Sequence, residues 1–431
     1  MALGSGAVVW GHNVQYDLLV LWQGSIGAWF VNGRFRRASE GGVAFRDTLS
    51  FFEMPLSEAA KLVGLQKTGD AAESLAYSDA KLEGYCVDDC KATAGLVRAI
   101  LRFTRETGLS ETATGPGSWA REFWKIALPP IATYIDDRRR PMPQGMIRGG
   151  LVKWQSGTLL DGEKWDVKSA YPWQMWNGRF PDVESIGRFG LPVVVKAAGV
   201  WYVPEEADLL GLRPTRVVRC PALRWGRPFV GFVESLMELR NRYKAASDGA
   251  GDYLSKRVLN SLSGCLGART LSMYVKNGVV SGGNKVDALP GTRASWAALV
   301  TGRQRARLLG AWKTSREPRY SDTDSLVCKS FNGDGQGNDL CGRWVLEERF
   351  AEAWIIGPKM YATLDRAGAI QTAHVKGIPK RLAADTIRRY REGGETVVEW
   401  ESVVTYREAH GSPALWIQRK RDPFKNARTK Q

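Results

Sequence analysis

Arg319-Tyr-Ser-Asp322-Thr-Asp324-Ser-Leu-Val327 sets two carboxylates one residue apart, between Tyr320 and the apolar pair Leu326-Val327. This pattern predicts a β-hairpin whose tip presents the acids. Alone, a bare Asp-Thr-Asp is more often a solvent-exposed acidic turn. Carboxylates this close repel unless a cation neutralises them, and such oxygen ligands suit Mg²⁺, which takes one or two carboxylates plus substrate phosphates. Upstream, Trp165-Asp166-Val-Lys-Ser169-Ala-Tyr171-Pro172 puts Asp166 at the end of a strand signal that Pro172 soon stops. A strand-end aspartate facing a hairpin aspartate can assemble a two-metal phosphoryl-transfer site. One ion lowers the pKa of the attacking hydroxyl; the other holds the triphosphate and the leaving pyrophosphate.

A third element lies between these two. In Lys256-Arg-Val-Leu-Asn260-Ser-Leu-Ser-Gly264 the cation, the amide and the glycine recur every four residues and line one helix face. Such a face suits a nucleotide, with Lys256 toward phosphates. Arg240 and Lys244 form a second cationic stripe on the preceding helix. Solvated helix cations are the plainer reading of each stripe taken alone.

Composition agrees with a polyanion partner. The 431 residues carry 61 Lys+Arg against 45 Asp+Glu, a net charge of +16, and each neutralised phosphate releases condensed counterions. No apolar run approaches a membrane span, and Met1 to Trp10 lacks a basic n-region. Six cysteines form no ligand framework: Cys86 and Cys90 share a helix face, but His12, His374 and His410 are scattered, so buried free thiols are expected.

Along the chain, strand and helix signals alternate through the first hundred residues: strands at 7–10 and 41–49, helices at 56–65 and 82–103. Residues 106–145 read as a connector with a short helix at 119–127. Beyond them come strands near 151–154 and 163–167, a helix pair at 232–247 and 252–264, a Gly-rich segment at 275–291 and a helix at 293–313. The C-terminal tail bears Arg419, Lys420, Arg421, Lys425, Arg428 and Lys430, either a solvated end or a nucleic-acid backbone contact.

The combination and order of these motifs resemble those of family B DNA polymerases. Asp-Val-Lys-Ser-Ala-Tyr-Pro is similar to motif A, the Lys256 segment to motif B, and Tyr-Ser-Asp-Thr-Asp-Ser to motif C. Lys359-Met-Tyr361 resembles the Lys-x-Tyr primer-strand element, and Arg148-Gly149-Gly150 the Tyr-x-Gly-Gly element. His12-Asn13-Val-Gln-Tyr16-Asp17 and Tyr85-Cys-Val-Asp-Asp89 resemble the second and third 3′–5′ exonuclease motifs. Phe45-Arg-Asp-Thr-Leu, Pro55 and the segment ending Lys67-Thr-Gly-Asp70 resemble the protein-primed branch of phages and linear plasmids.

The resemblance implies an α+β, right-hand polymerase of palm, fingers and thumb after an RNase H-like exonuclease domain. Expected boundaries are 1–105 for the exonuclease-like part, 106–145 for the connector, and 146–232 with 265–378 for the palm, including a short hairpin insert near 268–291. The fingers take 233–264, and the thumb and basic tail 379–431. It also implies that Asp166, Asp324 and the Val167 carbonyl bind two Mg²⁺ or Mn²⁺ ions, with Asp322 in support. Tyr171 would pack under the incoming sugar and exclude a 2′-hydroxyl. Ser169, Arg240, Lys244 and Lys256 would serve the triphosphate, Asn260 the nascent pair. Lys359, Tyr361, Arg148, Gly149 and Gly150 would contact primer and DNA. Implied partners are primer-template DNA, dNTPs and a terminal protein as primer, for a cytoplasmic monomer encoded by a phage, plasmid or mobile element of a bacterial host.

Three departures qualify this. The first exonuclease motif, Asp-x-Glu, has no counterpart in residues 1–12, which hold no acid. Asn13, Tyr16, Asp17, Lys67, Tyr85 and Asp89 are then a remnant, in either a truncated chain or a naturally reduced polymerase. Both cases predict little proofreading and an uncovered sheet edge. Ser263 replaces the tyrosine usual in motif B, and Ile147 begins the Tyr-x-Gly-Gly counterpart. The competing function is a degenerate polymerase relic that binds nucleic acid without catalysis.

Overall fold

From Ala353 to Gly357 every second residue of the long strand Trp344–Gly357 is buried, the period-two pattern of a strand inside a packed sheet. The computed structural model describes residues 6–22, 25–31, 34–67, 78–127, 147–181, 194–197, 199–218, 225–267, 269–277, 279–288, 294–335, 341–403 and 416–424. In chain order the elements begin β1 (Val8–Gly11), α1 (Val14–Trp22), β2 (Ala28–Val31), β3 (Arg34–Glu40), β4 (Val43–Asp47), α2 (Leu49–Phe52), α3 (Leu56–Lys61), α4 (Asp79–Thr107) and α5 (Pro116–Ala127). There follow β5 (Val152–Trp154), β6 (Gly157–Val167), α6 (Ala170–Asn177), β7 (Phe180–Pro181), β8 (Val194–Ala197), β9 (Val200–Tyr202), α7 (Pro204–Leu209), β10 (Arg216–Val218) and β11 (Trp225–Gly226). The remainder is α8 (Val230–Ala245), α9 (Gly249–Leu266), β12 (Arg269–Lys276), β13 (Val279–Ala288), α10 (Ala294–Thr314), β14 (Tyr320–Asp322), β15 (Ser325–Cys328), β16 (Trp344–Gly357), β17 (Met360–Leu364), β18 (Ile370–Val375), α11 (Lys380–Arg391), β19 (Val398–Val403) and β20 (Trp416–Arg421). Among the described residues no helix is long and apolar enough to cross a membrane.

The chain divides into two units, one within 1–138, 228–292 and 403–416, the other within 139–227, 293–402 and 417–431. The first is built on a sheet of order β1-β4-β3-β2-β12-β13, with β1 parallel to β4. Its core gathers Leu18, Ile26, Phe30, Phe35, Phe45 and Val275. Gly27 is required where it stands, because a Cβ there would fall 1.8 Å from the Tyr274 hydroxyl. The helix pair α8–α9 turns at Asp248, whose carboxylate caps α9 by accepting from the Gly251 N–H at 3.0 Å.

Residues 269–288 form a hairpin, β12–β13, within the first unit. Met273 pairs with Phe30, so β12 occupies the edge of β2 that would otherwise lie open. Within the first part of the expected connector, Trp119 and Ala120 on α5 are fully buried, and the Trp119 ring meets Phe51 and Phe103. The rest of the expected connector, 128–145, falls outside the described residues. So do Thr68–Asp70, Lys425, Arg428 and Lys430. The expectation of buried thiols holds for Cys328; Cys86 and Cys90 are exposed, because the N-terminal half of α4 faces solvent.

The second unit is a seven-stranded sheet of order β18-β17-β16-β6-β15-β14-β5, antiparallel throughout. Helix α10 covers one face through Leu308, Ala311 and Trp312, packed with Val167, Leu326, Phe331 and Trp344. Fully burying a side chain such as Leu308 contributes roughly 2–3 kcal/mol. Helix α11 packs Ala383 and Ile387 on Ala362, Leu364 and Val375, with Phe424 completing that cluster. The first of these packings backs β6, which carries Asp166, and β15, which follows the Asp322-Thr-Asp324 turn.

Candidate functional site

Asp166 is the penultimate residue of β6, and β6 pairs with β15 so that Asp166 stands opposite Ser325. The Val167 N–H donates to the Asp324 carbonyl at 2.8 Å, locking the two acidic segments side by side. Strands β14 and β15 are joined by a two-residue turn, Thr323-Asp324, closed with Asp322 opposite Ser325. Thr323 has φ +60°, a strained value for a β-branched residue. Its surroundings hold it there. Its N–H donates to the Leu151 carbonyl at 2.8 Å, and its carbonyl accepts from Gln304 Nε2 at 3.4 Å. Gln304 in turn accepts from Gln174 Nε2 at 3.2 Å. Gly150 presses on the same turn: a Cβ there would lie 2.3 Å from Thr323 Oγ1 and 2.9 Å from its Cα.

The carboxylates raise one another. Burial, then Asp324, then Glu347 push Asp166 up to about 7, against Lys168 and Lys164. Burial, Asp322 and Glu347 push Asp324 up to about 6. Lys359 Nζ lies 3.0 Å from Asp322 Oδ2, the Tyr320 hydroxyl donates to the same oxygen at 3.3 Å, and the Lys359 N–H donates to that hydroxyl at 3.1 Å. Lys168 Nζ is 3.9 Å from Asp166 and 3.8 Å from Glu347.

This donor set fits divalent cations in one respect: several clustered carboxylates keep their negative charge only at a cost that a hard cation removes. Among the described residues no three carboxylate, imidazole or thiol donors close on a common point. Mg²⁺ bound by one or two carboxylates with substrate phosphates does not need them to.

Glu347 went unnoticed in the sequence. The pairing of β16 with β6 slips between Leu346 and Glu348, a bulge that turns Glu347 toward Lys164 (3.1 Å) and Lys168. Equally unsignalled is a buried ion cluster behind the Gly150 contact. Glu206 on α7 is 1% exposed and receives Arg305 Nε at 3.0 Å, Nη2 at 3.1 Å and Arg148 Nη2 at 2.5 Å. Arg305 Nη1 donates to the carbonyls of Arg148 and Gly149 at 2.9 and 3.0 Å. Arg148 also lies over the Tyr202 ring at 4.1 Å.

Of the other expected residues in this unit, Ser169 caps α6 in the left-handed region without a side-chain cap bond. Tyr171 is partly buried, its pKa raised by burial and then by Asp324. Tyr361 is 5% exposed, its ring packed on Tyr320 and His374, whereas Lys359 reaches the surface.

In the first unit Lys256, Asn260 and Gly264 are all exposed along one face of α9, as their spacing requires. Ser263 is buried and donates to the Asn260 carbonyl at 3.1 Å. Lys244 is exposed, but Arg240 is tied to Asp252 at 2.6 Å, bracing the two helices. Of the exonuclease-like residues, Asp17 and Asp89 line a cavity of about 600 Å³ together with His12 and Arg98 among others. Lys67 joins the Tyr85 hydroxyl at 2.8 Å and Asp89 at 2.9 Å. Asn13, at φ +72°, donates its N–H to Asp47 at 2.8 Å, and Tyr16 closes that turn on the Asn13 carbonyl. Burial raises both Asp17 and Asp47 to about 6.

No family model matches the chain. Among curated proteins it is similar to the DNA-directed DNA polymerase of Enterobacteria phage PRD1, 24% identical over 412 residues, covering 82% of this chain and 73% of that one. Among solved structures it resembles Phi29 DNA polymerase complexed with primer-template DNA and incoming nucleotide substrates, with a TM-score of 0.70 and 15% identity over 97% of this chain and 91% of that one. The binary complex of Phi29 DNA polymerase with primer-template DNA gives a TM-score of 0.66 at 15% identity, over 88% and 85%.

Proposed function

We infer that this chain, a DNA polymerase of the protein-primed family B type, extends a primer 3′-hydroxyl with dNTPs on a DNA template. The observation that carries the reading is the strand register setting Asp166 opposite Ser325, beside Asp324, so that two mutually repelling carboxylates share one end of the sheet. Asp166 and Asp324, with the Val167 carbonyl, would hold two Mg²⁺ or Mn²⁺ ions. Bound there, the ions supply a lowered hydroxyl pKa and neutralise triphosphate and pyrophosphate charge.

The chain's own residues do the rest. Asp322, clamped by Lys359 and Tyr320, keeps the turn in register. Tyr171 bars a 2′-hydroxyl, Ser169 sits by the triphosphate, and Lys359 and Tyr361 steady the primer strand. Lys256 and Lys244 answer the triphosphate and Asn260 the nascent pair; Arg240 contributes by bracing the helix that carries them. The partners are primer-template DNA, dNTPs and a terminal protein, and the chain works as a monomer in a bacterial cytoplasm. Proofreading is weak in this reading, since Asp17 and Asp89 are the two carboxylates among the described lining of that cavity and Lys67 already pairs with Asp89.

Primer extension with Mg²⁺ tests the assignment. The wild type is expected to extend a primed template, Asp324→Asn to lose at least a thousandfold, and mismatched 3′ ends to be removed slowly by both. Equal extension by the variant would remove Asp324 from the site.

A further inference from the structure

Besides the carboxylate turn, the second unit holds a cavity of about 530 Å³ that the polymerase reading leaves unused. Three of its walls are aromatic (Trp154, Trp354 and Tyr390) and three cationic (Lys376, Arg391 and Arg421). No acid lines it among the described residues.

The lining is held in place. Trp354 Nε1 donates to Glu352 at 2.7 Å. The Arg391 guanidinium lies 5.2 Å over the Trp354 ring, and its Nη2 donates to Thr158 Oγ1 at 3.4 Å. Tyr390 stacks on Phe424 at 4.3 Å. The Arg421 guanidinium fills space that only Gly377 leaves open, since a Cβ at Gly377 would come 2.3 Å from Nη1. Trp154 remains 41% exposed.

Packing accounts for Tyr390 and Trp354 but not for an indole left in water beside three gathered cations. Cations repel one another unless an anion joins them, and exposed aromatic faces set in a basic groove are the recurring platform for unpaired bases. The volume is that of a small-ligand site. The cavity is also close to the acids: β5 pairs with β14, Trp154 opposite Tyr320 and Val152 opposite Asp322. Two residues of strand, roughly 7 Å, therefore separate Trp154 from the position facing the turn.

We propose that this cavity binds a nucleotide of a single-stranded nucleic acid, with a base against Trp154 and the adjoining phosphates on Lys376, Arg391 and Arg421. The proposal does not depend on catalysis, so it is tested in the inactive Asp324→Asn chain. A 5-iodouracil-substituted oligothymidylate is irradiated with that protein and the cross-linked peptides are mapped. Cross-links are expected on the peptides holding Trp154 or Tyr390.

Their yield should fall roughly tenfold in Arg421→Glu and in Trp154→Ala, hold in Arg421→Lys, and decline with salt. Melting curves exclude unfolding of the variants, and loss of yield in a variant that melts like the parent counts for the proposal. Competition by unlabelled oligonucleotide, and not by thymidine monophosphate at equal nucleotide concentration, identifies a strand as the occupant; equal competition identifies a free nucleotide in the same site. Cross-links absent from both peptides, or unmoved by Arg421→Glu, overturn it. Primer extension by the parent chain, measured separately, reports on the polymerase reading alone.

Discussion

Replacing Glu206 by Gln should damage catalysis without touching a catalytic group. Glu206 accepts from Nε and Nη2 along one edge of the Arg305 guanidinium, and the Arg305 side chain is only 4% exposed. Removing the carboxylate charge leaves that guanidinium buried without its counter-ion, at a cost of about 3–5 kcal/mol. For a unit of this size the melting temperature should drop on the order of 10 °C. Arg305 also ties down the carbonyls of Arg148 and Gly149, one residue before the glycine that presses on Thr323. The carboxylate turn is thereby loosened. A displacement of about 1 Å at reacting groups can cost roughly a hundredfold in rate, so single-turnover dNTP addition should slow by about that factor while primer-template affinity stays within twofold. Arg305→Lys should reproduce the rate defect, because an ammonium cannot make the forked contact. The reasoning is refuted if Glu206→Gln melts within 2 °C of wild type and adds nucleotides at the wild-type rate.

The pH response of the metal-free protein follows from Asp166 and Asp324. Both have folded pKa values raised above the ordinary carboxylate value, to about 7 and about 6, so their stabilising contribution is present below pH 4 and lost as pH rises through 6 and 7. Melting temperature should fall from pH 5 to pH 8 without metal and recover on adding Mg²⁺; a flat profile in both conditions would contradict the cluster. Asp324→Asn should melt higher than wild type at pH 8 without metal, checked by calorimetry. Gly150→Ala should lower nucleotide addition at least fiftyfold with little change in DNA binding, because its Cβ must displace Thr323. Lys256→Ala should raise the KM for dNTP about tenfold. Arg240→Ala should instead cost about 1 kcal/mol of stability by releasing Asp252, and titration of dNTP against rate and urea against fold separates the two.

The parts legible in the sequence were those governed by local rules. The paired acids at Asp322 and Asp324, the strand leading to Asp166 and the four-residue spacing of Lys256, Asn260 and Gly264 all emerge where their periodicity puts them. What escaped was set by long-range pairing. Glu347 enters the cluster through a slip of one residue between β16 and β6, and no property of Glu347's own neighbours distinguishes it from Glu348. Glu206 and Arg305 meet across a long stretch of chain; each alone reads as a surface charge, and only burial shows them to be a pair. The hairpin at 269–288 was visible as a hairpin, but its choice of β2 as partner depends on which sheet has a free edge, a tertiary fact.

That hairpin also sets a timetable. One edge of β2 pairs at once with β3, Phe30 opposite Phe35, but the other edge finds its partner only in β12, Phe30 opposite Met273, and the intervening chain includes nearly half of the other unit. At ribosomal speeds β2 waits roughly ten to fifty seconds between its own synthesis and that of β12. Throughout that interval Trp29, Phe30 and Val31 leave one strand edge unpaired on a nascent chain. The N-terminal sheet is thus begun among the first segments made and closed only once β12 and β13 have followed. A pause in translation between β4 and β12 would prolong the open state, and co-expression at low temperature or with holdase chaperones should raise the yield of folded protein by shielding β2.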